Sequence, residues 1–128
     1  MSYTICKNIP ISYEQSIIRV TKALELEGFN IVTEIDIYNE FVEVLNIETD
    51  RFIILGAYSP SYAYKLFLET NKLGLLIPCN FVIKEISRNI TMICVANPVN
   101  SFKMFEEPLI NSVALQLKRR FTRMIETL

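Results

Sequence analysis

The spacing of apolar residues alternates along this chain between the two-residue period of a β-strand and the three- to four-residue period of an amphipathic helix. The resulting order is strand, helix, strand, strand, helix, strand, strand, helix. This order predicts an α+β fold in which helices pack on one face of a mainly antiparallel sheet. The strands are expected at Tyr3–Lys7, Phe29–Tyr38, Arg51–Ala57, Asn80–Ile86 and Ile90–Ala96.

Capping residues mark where the helices begin and end. Ser12 lies three residues before Gln15, a spacing that caps a helix start, and Gly28 is placed to end that helix in a left-handed conformation. Ser59 and Pro60 mark the start of a second helix. The helices are therefore expected at Tyr13–Glu27, Pro60–Thr70 and, as the C-terminal helix, within 106–128 from Pro108, with a shorter one at Glu40–Leu45.

The C-terminal helix carries a narrow apolar stripe that we expect to face the core. A charge at Leu117, in the middle of the stripe, should unfold much of the protein. Four basic residues lie near the end of the same helix, where cations favour the helix dipole, and a solvated face is favoured there over an anion site. The stripe is Leu109, Val113, Leu117, Phe121, Met124 and Leu128, and the basic residues are Lys118, Arg119, Arg120 and Arg123.

Length and composition limit the classes of protein to consider. The 128 residues predict a single domain, 1–128, and an apolar fraction of 51% with 21% charged residues predicts apolar surface buried in a homodimer. Apolar runs too short to cross a bilayer, and an N-terminus without a signal sequence, predict a cytoplasmic protein with no membrane partner. A net charge of −1 argues against nucleic acid as a partner.

The residue types limit the chemistry as well. The chain has no histidine and no CxxC pair among its three cysteines, which disfavours a zinc site or a catalytic triad. With three glycines it has no phosphate-binding motif for a nucleotide, so we expect neither a cofactor nor a metal. Cys6 and Cys94 lie in apolar, strand-like surroundings and are expected to be packing residues.

The segment GLLIPCNFVIKE, from Gly74 to Glu85, places Cys79 and Asn80 at the start of a strand. By strand alternation the Cys79 thiol should face the core, yet a helix N-terminus brought close to it would make it reactive. Tyr58 and Ser59, at the start of the second helix, are candidate ligand-binding residues, because free amides at a helix start can hold an anion.

Glu34 and Asp36 are further candidate ligand-binding residues. They share one strand face, about 7 Å apart at the rise of a β-strand, which suits paired acid–base chemistry or a hard cation. A solvated sheet face is the simpler interpretation and is favoured.

The segments GFNIVTEIDI, ILGAYSPSYA and GLLIPCNFVIKE together resemble domain-of-unknown-function family 302, most strongly over residues 2–98. The resemblance implies a compact α+β fold similar to the TATA-box-binding-protein-like arrangement, often dimeric and without an established activity. Where members often have Ala-Cys-Asn-Pro, this chain has Ala57-Tyr58-Ser59-Pro60, which argues against a dithiol mechanism. The positions that carry the resemblance are Gly28, Phe29, Glu34, Asp36, Gly56, Pro60, Pro78, Cys79 and Asn80.

Three functions remain open on these grounds. One is a homodimeric, non-catalytic protein that binds a small molecule or anion where Tyr58 and Ser59 meet Cys79 and Asn80. The alternative is a single-cysteine thiol enzyme or sulfur- or redox-handling protein, with Cys79 as the catalytic residue. The third is a module whose only role is to dimerise through apolar surface.

Overall fold

The computed structural model describes residues 2–105 and 107–128. Met1 and Glu106, the first positions of the predicted domain and of the predicted C-terminal helical region, lie outside the described residues. The strands are β1 (Thr4–Ile9), β2 (Asn30–Asp36), β3 (Phe52–Tyr58), β4 (Cys79–Ser87) and β5 (Ile90–Ala96). The helices are α1 (Tyr13–Leu26), α2 (Ile37–Glu40), α3 (Pro60–Phe67), α4 (Pro98–Ser101) and α5 (Pro108–Glu126). A π-helix, Phe41–Leu45, continues α2, so the short helix predicted at Glu40–Leu45 is present but begins earlier, at Ile37, and α3 ends before the predicted Thr70.

The five strands form one antiparallel sheet in the order β1-β5-β4-β3-β2. Alternate strand residues enter a core that α1, α3 and α5 cover, with Leu55, Phe81 and Ile93 all fully buried. The predicted α+β class with helices on one face of the sheet is confirmed. None of the helices in the described part of the chain is long and apolar enough to cross a membrane.

Helix α5 closes the core with the predicted apolar stripe from Val113 to Met124. Leu109, predicted to belong to the stripe, is 41% exposed, and the next residue, Ile110, is buried in its place. Leu117 is 1% exposed, and Phe121 meets Phe81 edge-on at 5.0 Å between ring centroids. From the edge strand, the Lys7 ammonium donates to the Glu126 carbonyl at 2.8 Å, which pairs a cation with an orphan carbonyl at the end of the helix.

Two of the four basic residues of α5, for which a solvated face was predicted, form ion pairs with a carboxylate. Arg120 and Arg123 lie 3.3 and 3.2 Å from the carboxylate oxygens of Glu27, just after α1. The basic patch therefore ties α5 to α1.

The predicted caps at both ends of α1 are confirmed. Ser12 Oγ accepts a hydrogen bond from the Gln15 amide at 3.2 Å, and Gly28, just beyond α1, has a φ of +86°.

Strand β2 departs from regular strand alternation, which would place Ile31 and Ile35 on one face. A bulge between Ile31 and Thr33 shifts the register, so Ile31 lies opposite core residue Ala57 whereas Ile35 lies opposite Ile54 on the other face. The strand also ends at Asp36 rather than at Tyr38, because the Asp36 carboxylate caps α2 by accepting the Asn39 amide at 2.9 Å.

The two cysteines expected to be packing residues form a disulfide. Cys6 on β1 and Cys94 on β5 lie directly opposite one another, with their Cα atoms 4.2 Å apart, and 88 positions separate them in sequence. Their strands alternate so that both sulfurs lie on the sheet face away from the core. The sequence prediction did not include this bond, because apolar, strand-like surroundings do not show which residues lie opposite one another in the sheet.

This second face, which we call the open face, is formed by the strand residues that alternate with the core residues. Its central row crosses all five strands, and a parallel row crosses four of them. Lys84 is the one charged side chain in these two rows, all of whose residues the structure describes. The central row is Ile35, Ile54, Val82, Cys94 and Cys6, and the parallel row is Phe52, Lys84, Met92 and Asn8.

Candidate functional site

The structure brings the start of β4 next to the end of β3. Ala57 lies opposite Cys79, and Gly56 lies opposite Asn80 in the antiparallel register. The two sequence segments that carry the candidate residues are therefore neighbours at one end of the sheet.

Gly56 permits this close approach because it lacks a side chain. A Cβ atom at this position would lie 3.1 Å from Cγ of Pro78 and would clash with the hydroxyl of Thr33. Pro78 and Thr33 thus close over the strand at Gly56, and Pro78 is the residue that immediately precedes Cys79.

The first cavity at this end, which we call the Asn80 cavity, has a volume of about 200 Å³. It lies between the start of β4, the end of β5 and helix α4. Its polar groups are the Asn80 amide, the Ser101 hydroxyl and the Cys79 thiol. Its apolar lining is Leu75, Leu76, Pro78, Val95, Ala96, Pro98 and Phe102.

A second cavity, the Tyr58 cavity, lies along α3 and has a volume of about 230 Å³. The turn Leu73–Leu75 contributes to both cavities, since Leu73 lines this one and Leu75 lines the Asn80 cavity. The single pocket expected from the sequence is therefore two cavities. The Tyr58 cavity is lined by Tyr58, Pro60, Ala63, Tyr64, Phe67 and Leu73.

Ser59 lines neither of these cavities. It is 7% exposed, and its hydroxyl accepts the Tyr62 amide at 3.5 Å as the cap of α3. A side chain that occupies the helix start in this way stabilises α3 and leaves less room there for an anion.

The Cys79 thiol faces the core, as predicted, because it lies opposite buried Ala57. Burial raises the pKa of the Cys79 thiol to about 12. Since the thiolate is the nucleophile, only a very small fraction of this residue is reactive at neutral pH.

Glu34 and Asp36 share one face of β2, as predicted, but they lie away from both cavities. They are opposite Leu55 and Ile53, in the half of β3 that is further from Tyr58. Asp36 caps α2, and both side chains are exposed. Residues 2–105 and 107–128 contain no cluster of three or more acidic, cysteine or histidine side chains that could hold a metal ion.

Helix α4 contributes cavity residues that the sequence interpretation did not include. Asn97 caps this helix by accepting the Val99 amide at 3.1 Å, and Pro98 occupies its first turn. The helix then places Ser101 in the Asn80 cavity, and Phe102 follows it. The signal was present in the sequence, because Asn followed by Pro is a helix start of the same kind as Ser59 followed by Pro60.

Another polar cluster surrounds Tyr13 at the start of α1. The Arg51 guanidinium lies 4.8 Å from the centre of the Tyr13 ring and also pairs with Glu14 and Glu85. Burial, and then the charge of Asp36, raise the pKa of Tyr13 to about 12. Arg51 thus pairs with carboxylates of α1 and β4 beside the Tyr13 ring.

The fold is shared with an uncharacterized conserved DUF302 protein from Bacillus stearothermophilus, known from a crystal structure. The TM-score is 0.89 over 98% of this chain and 98% of that chain, at 18% sequence identity, which shows the fold alone. No curated protein matches the chain in sequence. The model of the family described as Domain of unknown function DUF302 matches residues 5–128, C-terminal helix included, and the chain therefore belongs to that family.

Proposed function

We propose that this protein is a non-catalytic binding protein for a small, mainly apolar molecule, and that it works as a homodimer. The observation that carries the proposal is the Asn80 cavity, in which a few polar groups converge within an apolar lining. This combination is typical of small-molecule sites, where apolar contacts supply affinity and a few hydrogen bonds fix orientation.

The size of the cavity limits the ligand. Its volume of about 200 Å³ is below the ~300–1,000 Å³ of pockets for drug-sized molecules. It equals the volume of about seven water molecules in the liquid. The ligand class is therefore a compact metabolite with one or two hydrogen-bonding groups.

The polar groups of the cavity favour a neutral ligand over an anion. The Asn80 amide can donate and accept, and the Ser101 hydroxyl can do the same, whereas the described residues that line the cavity within one chain include no Lys or Arg. Helix α4 is a single turn, and the longer helix α3 is capped by Ser59. Within one chain, the described lining therefore offers no charge to compensate the cost of removing an anion from water.

The same residues support a non-catalytic role. Cys79, the one thiol in the cavity, has its pKa raised to about 12 by burial. The candidate carboxylates Glu34 and Asp36 lie elsewhere on the sheet, and none of the described residues that line the cavity carries a carboxylate or an amine. This arrangement disfavours the thiol-enzyme alternative.

The experiment is a thermal-shift screen of neutral fragments with up to about ten non-hydrogen atoms, repeated on two matched variants. Asn80→Ala removes the cavity amide, and Asn39→Ala removes an exposed asparagine of α2 that does not line the cavity. We expect the stabilising fragments to lose their effect with Asn80→Ala and keep it with Asn39→Ala. Fragments that act equally on both variants, or that depend on Tyr58, would place binding outside the Asn80 cavity.

A further inference from the structure

We infer that the homodimer forms through the open face, with the central rows of two copies packed against each other. The inference rests on the proposed homodimer and names its interface. The first observation is that the central row of the open face is apolar across all five strands. Ile35 and Ile90 on this face are 47% and 42% exposed, and Lys84 is the one charge in its two rows.

The central row indicates a surface that is buried by another protein chain. In an antiparallel sheet with one solvated face, the residues between the core residues of each strand are normally polar. Here the residues in those positions are the apolar Ile54, Val82 and Cys94. Contiguous apolar patches of this size mark interaction surfaces.

The dimensions of the face match a second copy of the same chain. Five strands spaced about 4.8 Å apart, with strands of seven residues at about 3.3 Å each, give a footprint of about 550 Å². Two copies would cover about 1,100 Å² in flat projection, close to the lower limit of ~1,200 Å² for stable interfaces, and the corrugated surface adds to this. The net charge of −1 per chain gives little repulsion between copies.

Lys84 distinguishes between two possible directions of the two-fold axis. In a face-to-face dimer the axis lies in the plane between the two sheets. An axis along β4 would place Lys84 against its own copy, with like charges opposed. An axis along the central row avoids this, because each residue of the row then meets its own copy and Lys84 lies over Asn80 of the other chain.

The first test compares the same substitution on opposite faces. Ile54→Lys places a charge in the central row, and Ile18→Lys places one on α1, where Ile18 is 68% exposed. By sedimentation equilibrium we expect a dimeric parent, a dimer dissociation constant raised about a hundredfold or more by Ile54→Lys, and no change with Ile18→Lys.

The second test measures the geometry and does not depend on whether Ile54→Lys folds. Lys84→Cys carries a spin label at an accessible thiol, because Cys79 is buried and Cys6 and Cys94 are joined. Lys84 is two residues from the axis, and packed sheets are about 10 Å apart, so the two Cα atoms should be about 17 Å apart.

The outcomes separate the two proposals. A short label distance together with dissociation by Ile54→Lys supports this interface. A dimer that survives Ile54→Lys, or label distances beyond about 40 Å, would overturn the interface but leave the homodimer. A parent protein that is monomeric at about 100 µM would overturn both this inference and the homodimer, while fragment binding to the Asn80 cavity would still test the rest of the proposed function.

Discussion

Replacing Gly56 by alanine should destabilise the protein, although the same change stabilises many proteins. The added Cβ would meet Cγ and Cβ of Pro78 at 3.1 and 3.3 Å, and would clash with the Thr33 hydroxyl. Overpacking of this kind costs about 1–3 kcal/mol, and the lower entropy of the unfolded chain returns about 0.4–1 kcal/mol. We expect a net loss of about 1–2 kcal/mol, which corresponds to a fall in Tm of about 4–7 °C for a chain of 128 residues.

Gly74 provides the matched control. A Cβ on Gly74 has no heavy atom within 4 Å, so Gly74→Ala should leave Tm unchanged or raise it slightly. Both variants would be followed by thermal and guanidinium unfolding with circular dichroism. Equal stabilities for the two variants would refute the close approach at Gly56.

A double-mutant cycle then shows which neighbour of Gly56 causes the loss of stability. Thr33→Ala removes one of the two obstacles to a Cβ on Gly56 and leaves Pro78 in place. If the hydroxyl is the main obstacle, Thr33→Ala should recover more than half of the loss in Gly56→Ala, beyond its own effect on stability. Strict additivity would assign the loss to Pro78 alone.

Three further predictions concern the cysteines. Reduction of the disulfide, or Cys94→Ala, should lower the unfolding free energy by up to about 4–5 kcal/mol, because the bond closes a loop of 88 residues. Equal guanidinium midpoints with and without dithiothreitol would contradict this prediction. Iodoacetamide should label Cys79 slowly at pH 7, and the labelling rate, followed by mass spectrometry, should rise about tenfold per pH unit towards the Cys79 pKa of about 12. Rapid labelling at pH 7 would support the thiol-enzyme alternative instead. Because this folded-state pKa is raised from 9.0, the contribution of the neutral Cys79 thiol to stability should be complete below about pH 9 and lost as the pH rises to about 12.

Local patterns were sufficient to predict most of the fold. The stripe around Leu117 and the caps at Ser12 and Ser59 are determined by neighbours within one or two helical turns, and all are present in the structure. The bulge in β2 was not predictable in this way, because apolar alternation continues through it and the register is set by pairing with β3. The disulfide was missed for a related reason, since two apolar strand patterns do not show which face each cysteine takes.

The candidate site was predicted in part. Sequence order placed Asn80 and Tyr58 near each other, because the strands that carry them are paired. It did not show that the turn Leu73–Leu75 contributes to two cavities, or that Ser101 enters one of them. Such relations depend on contacts between segments far apart in sequence, which apolar periodicity does not encode.

The bond between Cys6 and Cys94 makes most of this polypeptide a covalent ring that contains β2, β3 and β4 and the greater part of β1 and β5. A protease that cuts the chain once within that ring, for example in the exposed stretch after Glu40, leaves both pieces attached to each other. A cut between Ala96 and Pro108 instead releases α5, and with it the side chains of Leu117 and Phe121 that fill the interior. A cut within the ring would therefore leave a nicked but assembled molecule, whereas a cut between Ala96 and Pro108 would leave an unfolded one.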